Sequence, residues 1–308
     1  EIEYEDGRVE VVATDASWRA KHSPILGADL YMGEVYDARR EALDTANPGQ
    51  DETSWEPVVG IMAMFPVLEA YPGAPVRAMK ELTPQTIVEK GPNRFILDMG
   101  QNMVGFARIR VSEAAGTRIT LRFGEMLKPD GELYIENLRS ARATDEYICA
   151  GTGDEVWQPR FTFHGFRYVE ISGCSTMPTA EDITGVVLHA DMPDTGRFTC
   201  SNELINQLQH NIEWGQRGNF LEVPTDCPQR DERLGWLGDA QVFAPTACFN
   251  MDTAAFFTKW MLDVEEAQLP DGGFTHYAPI PLDYNGCAPG WADAGVIVPW
   301  TVYEVFGD

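Results

Sequence analysis

Basic residues are scarce in this sequence of 308 residues: 23 lysines and arginines stand against 48 aspartates and glutamates, a formal net charge of −25. That balance argues against nucleic acid as a partner, because phosphates are gripped by a basic surface. It disfavours anionic membranes and polyanionic substrates for the same reason and suits neutral ones. Long hydrophobic runs are missing as well. None approaches the roughly 20 apolar residues that span a bilayer, so no membrane contact is expected. The cysteines (Cys149, Cys174, Cys200, Cys227, Cys248 and Cys287) include no CxxC or other ligand spacing. Metal binding and a dense disulfide framework are therefore not expected, nor is any cofactor; buried free thiols are the default. There is no internal repeat, no low-complexity segment, no initiator Met and no signal peptide. Both ends read as cut through structured elements, so the sequence is taken as a piece of a longer protein whose compartment it does not reveal.

What is present falls into three regions. Residues 1–75 alternate short apolar runs with turns, an all-β texture with Trp18, Trp55 and several tyrosines as core or edge aromatics. A Pro-rich stretch, Tyr71 to Pro75, reads as a linker or crossover. Over 76–192 the alternation strengthens: Arg94 to Asp98, Ala107 to Val111 and Thr117 to Phe123 have the period of two that half-buried strands require. Further strands are expected over Glu146 to Cys149, Phe161 to Phe163, Tyr168 to Ile171 and Gly185 to Leu188, making a second sandwich by strand count. From 193 the period turns helical. Ser201 is a candidate N-cap for a helix with Leu204, Ile205, Leu208 and Ile212 on one face. Asp252 is placed to cap a second helix carrying Phe256, Trp260 and Val264 at spacing four, and a third helix is expected from about Ala292 to Phe306, with Pro299 as a point where it can kink.

The densest chemistry lies in the run TDCPQRDERLGWLGDAQ, Thr225 to Gln241, with Asp226, Asp231, Glu232 and Asp239 beside Arg230, Arg233 and Trp236. No helical or strand period fits it, and Pro228, Gly235 and Gly238 break it, so it reads as a structured loop entering a helix near Gly238. Carboxylates can be tuned as acid or base by burial and by their neighbours. Arginine holds acids through a planar fork, and an aromatic face covers the apolar side of a sugar ring. A pocket that protonates a leaving group while gripping a polyhydroxylated ring needs this combination; hydrophobic packing does not.

This run closely resembles the signature of the bacterial α-L-rhamnosidases, the inverting glycosidases of glycoside hydrolase family 78. One departure is Leu237, where the family usually has a small polar residue. The segment from Trp18 to Arg39 resembles the family's amino-terminal sandwich. Asp98 to Phe106 and Phe163 to Tyr168 resemble landmarks of its middle domain; their glycines read as tight turns and their aromatics as core in preference to sugar contacts, with His164 structural. The resemblance implies two antiparallel β-sandwich domains (1–75 and 76–192) followed by the first part of an all-α (α/α)6 toroid (193–308). It implies hydrolysis of terminal α-L-rhamnose from a rhamnose-containing glycoside.

On the same resemblance Glu232 matches the general acid, with a pKa expected to be raised by the neighbouring carboxylates. Asp226 and Asp239 match acids that bind rhamnose hydroxyls, Arg230 an orienting arginine, and Trp236 and Trp291 aromatic walls. Asp293 reads equally as a hydroxyl ligand or a helix cap, and Asp231 with Arg233 equally as a structural ion pair or as substrate contacts. Cys227 reads as a packing residue of the loop. The family's general base is a glutamate later in the barrel that nothing here matches, so these residues alone are expected to be inactive. The apolar faces of Leu204, Ile212, Phe256 and Trp260 are expected to be partly exposed, or covered by the sandwich or another chain, which leaves a homo-oligomer open. Two other readings stand beside this one: a carbohydrate-binding sandwich pair with a vestigial barrel, and a glycoside phosphorylase or lyase of similar architecture.

Overall fold

In the computed structural model, residues 1–41, 54–60, 69–281 and 286–307 are described. Parts of the expected first β region, residues 42–53 and 61–68, lie outside them. Ten strands form one sheet. They are β1 (Ile25–Asp29), β2 (Gly33–Asp37), β3 (Val76–Leu82), β4 (Thr86–Gly91), β5 (Arg94–Val111), β6 (Arg118–Gly124), β7 (Thr144–Ile148), β8 (Glu155–Trp157), β9 (His164–Ser172) and β10 (Ile183–Ala190). The order is β1-β2-β7-β6-β9-β5-β10-β3, with β4 and β8 also pairing with β5. All ladders are antiparallel except β2 with β7, which run parallel through Val35 and Glu146. From the expected first β region, β1 and β2 join the sheet of the second, while Ile2–Glu3 with Val9–Glu10 and Arg19–Ala20 with Glu56–Pro57 form small two-stranded sheets of their own.

The two short strands expected at Arg94 and Ala107 are halves of one 18-residue strand, β5. Its first half pairs with β4 and its second with β10 and β8, while β9 runs along both. Between them the β9 ladder shifts register. Gly100 (φ 76°) and Gly105 (φ 150°) let the strand bend without ending, and a Cβ at Gly105 would meet the Val186 carbonyl oxygen at 1.8 Å. The glycines that read as turns are bends inside a strand. The curled sheet closes over a core that includes Leu97, Ile109, Leu121, Phe123, Phe166 and Ile171. Phe161 to Phe163 is not a strand; the chain enters β9 only at His164. His164 is fully buried, stacked on Phe123 and bonded to Asp145 at 3.0 Å.

Four helices follow: α1 (Glu203–Asn219), α2 (Leu237–Asn250), α3 (Ala254–Glu266) and α4 (Ala294–Phe306). None among the described residues is long and apolar enough to cross a membrane. Asn202, not Ser201, caps α1, its side chain taking the Leu204 amide at 3.0 Å. Asp252 receives the Ala254 amide, one residue before the N-cap Thr253. Phe256, Trp260 and Val264 share a buried face as their spacing requires. The expected exposure holds for Leu204, which is 81% exposed, with Ile205 and Leu208 also open. It fails for Phe256 and Trp260, 2% and 0% exposed. Phe220 stacks on Phe256, and the Trp260 indole donates to the Ala278 carbonyl at 3.0 Å. Chain already present covers that face.

Candidate active site

The acid-rich run is an irregular loop between α1 and α2. Its entry is tied by the Thr225 amide to the Asn219 carbonyl (2.9 Å) and its exit by the Ala278 amide to the Gly235 carbonyl (3.0 Å). Gly235 is required there, since a Cβ would lie 2.3 Å from the Ala278 oxygen. Within the loop the side chains form a charged chain. The Cys227 thiol donates to Asp226 Oδ2 at 2.9 Å and receives Arg230 Nε at 3.0 Å. Arg230 Nη2 lies 3.0 Å from Glu232 Oε2 and 3.7 Å from Asp226 Oδ2. Burial comes first in pushing the Cys227 thiol up to about 12, with Asp226 adding to it, so it is held as a hydrogen-bonding thiol rather than a nucleophile. Asp226, Cys227 and Glu232 each place one donor atom within 4.8 Å of the others, the one group with metal-ligand spacing among the described residues. Arg230 and Arg139 occupy its charge.

The β layer reaches into this loop through residues that the sequence did not single out. Arg139 donates to Asp231 Oδ1 and Glu232 Oε2, both at 2.6 Å. It lies just past a short 3₁₀ turn, Glu136–Leu138, at φ 57°. Tyr31 Oη donates to the Glu232 carbonyl at 2.8 Å. Asp231 is bonded by Ser140 and Arg139, which hold its carboxyl down at about 2. Asp231 and Arg233 are therefore not an ion pair. Arg233, 7% exposed and at φ 54°, donates through Nη1 to the Leu30 and Phe163 carbonyls, each at 2.8 Å, between the rings of Tyr31 and Phe163. Burial lowers its pKa to about 10, which leaves it a cation at neutral pH.

A cavity of about 610 Å³ opens beside the loop, between α1 and α2, with Asn219, Phe220, Asp226, Asp239, Phe243 and Trp291 on its walls. It thus gathers Asp226, Asp239 and Trp291. Gly238 lets the Trp291 indole close onto the start of α2, because a Cβ there would stand 2.9 Å from Trp291 Nε1. Glu232 and Arg230 are reached through Asp226 and are not on the cavity wall. Trp236 is half-buried, edge-on to Tyr277 at 5.2 Å, and also off that wall. Asp293 is the N-cap residue of α4, its carbonyl taking the Ile297 amide at 2.9 Å, but its side chain bonds backward, to the Gly290 amide at 3.0 Å, rather than to the first turn. That bond shapes the turn carrying Trp291.

Comparison with known proteins matches the chain in three consecutive pieces. Residues 1–80 match the alpha-L-rhamnosidase N-terminal domain, and 88–189 the bacterial alpha-L-rhamnosidase concanavalin-like domain. Residues 193–308 match the bacterial alpha-L-rhamnosidase 6 hairpin glycosidase domain. The chain belongs to the bacterial α-L-rhamnosidase family. An alpha-L-rhamnosidase of Streptomyces avermitilis is 50% identical over all of this chain and 30% of its own length. One from Formosa agariphila is 42% identical over all of this chain and 34% of its own. The chain thus spans about a third of the curated relatives it matches. The crystal structure of the Streptomyces avermitilis rhamnosidase complexed with L-rhamnose superposes at a TM-score of 0.96, covering 99% of this chain and 30% of that one. The Dictyoglumus thermophilum rhamnosidase, 41% identical, gives 0.94 over 99% of this chain and 35% of its own.

The pKa shifts in this carboxylate pair run opposite to the sequence expectation for Glu232. Burial is the largest influence on Asp226 and raises its pKa, and the hydrogen bond with Glu232 and that carboxylate's charge add to it. Burial would raise Glu232 too, but the bonds from Asp226 and Arg139 and the charges of Arg230 and Arg139 outweigh it and hold its pKa down. Within the pair Asp226 is thus shifted up and Glu232 down. Arg139, 93 residues away in sequence, adds to the lowering of Glu232 after the Asp226 hydrogen bond.

Proposed function

We propose that this chain is the acid-bearing part of a glycoside hydrolase that removes terminal α-L-rhamnose with inversion. The Asp226–Glu232 pair, set between two arginines at the edge of a cavity holding Asp239 and Trp291, carries the reading. The sugar lies in the cavity with its apolar face on Trp291 and its hydroxyls on Asp226 and Asp239. Glu232, carrying a proton, gives it to the glycosidic oxygen as the bond to the anomeric carbon breaks. The bond's electron pair leaves with that oxygen, and water adds to the opposite face after losing a proton to a second carboxylate roughly 6.5–9.5 Å from the first. That base is supplied from outside these residues. Residues 1–308 alone should therefore turn over an aryl rhamnoside at a rate lower by about 10²–10⁴ than the full-length enzyme; comparable multiple turnover would show a base within them.

The test is hydrolysis of an aryl α-L-rhamnoside by the full-length protein, followed by NMR in phosphate buffer. β-L-rhamnose should appear first. First release of the α-anomer would overturn inversion, and rhamnose 1-phosphate would reassign the enzyme as a phosphorylase.

Two variants probe the parts. Arg139→Gln removes the cation 2.6 Å from Glu232. Because that cation lowers the pKa, its loss lets the pair keep its proton to higher pH, and the alkaline limb of kcat/KM should move upward. An unmoved limb would separate Arg139 from the acid. Gly238→Ala should displace Trp291 and weaken inhibition by L-rhamnose about tenfold, the loss expected when one aromatic stacking contact is misplaced; unchanged inhibition would remove Trp291 from the sugar site.

A further inference from the structure

The acid is aimed by more than the arginines beside its carboxylate. The Glu232 carbonyl takes the Tyr31 hydroxyl at 2.8 Å, and Arg233, the next residue, donates to the Leu30 and Phe163 carbonyls. Two stretches of the β layer, residues 30–34 and 160–164, therefore fix the backbone that carries the Glu232 side chain. Leu30, Tyr31 and Phe163 all lie outside strands, so something other than a strand ladder must hold the two stretches in register with each other.

What joins them is a set of titratable side chains that no solvent reaches: Glu34, Asp145 and His164 are each 0% exposed. Asp145 Oδ1 takes the Glu34 amide at 2.9 Å and lies 3.0 Å from His164 Nε2, so one oxygen pins the start of β2 to the start of β9. Glu34 Oε2 in turn takes the Arg160 and Phe161 amides at 3.0 Å and 3.1 Å. Gly33, at φ 105°, permits the approach, since a Cβ there would stand 2.0 Å from the Thr144 carbonyl oxygen. Stability alone does not call for this arrangement. Burying carboxylates is costly unless all their oxygens are bonded, and here Glu34 Oε1, Asp145 Oδ2 and His164 Nδ1 are buried without a hydrogen-bond partner. Apolar side chains of the same volume would avoid that cost, but they could not hold the amides of residues 34, 160 and 161.

We propose that Glu34 and Asp145 are positioning residues for proton donation: acting through Leu30, Tyr31 and Phe163, they set the place of Glu232 against the glycosidic oxygen. The proposal rests on the function given above. Neither residue lines the cavity that holds Asp239 and Trp291, so their contribution is to the aim of the acid and not to the binding of the sugar.

The experiment compares the full-length enzyme with Glu34→Met and Asp145→Leu, which remove the accepting oxygens and keep a side chain in the space. Each is assayed on a rhamnosyl disaccharide, whose leaving group needs the proton, and on an activated aryl rhamnoside, whose leaving group does not. The ratio of kcat on the disaccharide to kcat on the aryl rhamnoside should fall by about 10- to 100-fold, the loss that a displacement of about 1 Å brings. Inhibition by free L-rhamnose should not change. Glu34→Gln, which retains an oxygen for both amides, should restore most of the ratio. Where Glu34→Met does not fold, Glu34→Asp keeps the charge but draws it back by one methylene, and it must give the same selective loss. An unchanged ratio, equal losses on both substrates, or a parallel loss of inhibition by L-rhamnose would overturn the positioning role. An unsubstituted enzyme inactive on every rhamnoside would instead overturn the function on which the proposal rests.

Discussion

Glu232→Gln in the full-length enzyme is expected to slow hydrolysis of rhamnosides with sugar leaving groups by about 10²–10⁴-fold. An alkoxide of a sugar is a poor leaving group and must be protonated as it departs, whereas an activated phenolate leaves unaided. Loss on an aryl rhamnoside with a low leaving-group pKa should therefore be much smaller. Glutamine keeps the shape and can still receive hydrogen bonds from Arg139 and Arg230, now at 2.6 Å and 3.0 Å from Glu232, so the loop should hold its place. The substitution also removes the charge that helps to raise the Asp226 pKa; Asp226 then titrates lower, and the pH profile should lose the coupled limb of the pair. Equal losses on good and poor leaving groups would take the acid role away from Glu232.

Arg233→Met should give the largest loss of stability among the loop substitutions. Arg233 donates to no carboxylate; its partners are the Leu30, Phe163 and Arg230 carbonyls. Methionine fills part of the space but leaves the Phe163 oxygen without its donor and the Leu30 oxygen with only the Thr162 hydroxyl at 3.4 Å. A stranded buried acceptor costs about 1–3 kcal/mol, and that much is at stake. The contacts of the guanidinium with Tyr31 and Phe163, 5.3 Å and 4.6 Å from the ring centres, go as well. Because Arg233 directly follows Glu232, the acid should lose its aim along with the anchor, and kcat should fall with stability. Arg233→Lys retains the charge but cannot fork to two carbonyls and should lie between the two. Urea unfolding followed by tryptophan fluorescence measures this; a midpoint equal to that of the unsubstituted protein would show that the β layer does not depend on the clamp.

Much was legible in the residue order because it is local. Alternation of apolar and polar residues in Arg118–Gly124 follows from one buried and one open face, and spacing of four in α3 follows from helical geometry. Such patterns report burial within a few residues of chain. The acid-rich loop was legible for the opposite reason: its charges and glycines fit neither period. That compositional conflict marked Asp226, Glu232 and Asp239 as a candidate site before any contact was known.

Only the tertiary structure decided the rest. Nothing near Gly100 and Gly105 tells a bend within a strand from a turn between two, because the answer is the close approach of Val186 from 81 residues away. The burial of Trp260 depends on Ala278, and the anchoring of Arg233 on Leu30, 203 positions earlier. The direction of the Glu232 shift was misread from the loop alone, since the hydrogen bonds from Asp226 and Arg139 and the charges of Arg230 and Arg139 together outweigh burial and lower it. Arg139 leaves no mark in the residues around Glu232. Charge acts through space with a strength set by distance, and the fold, not the spacing along the chain, sets that distance.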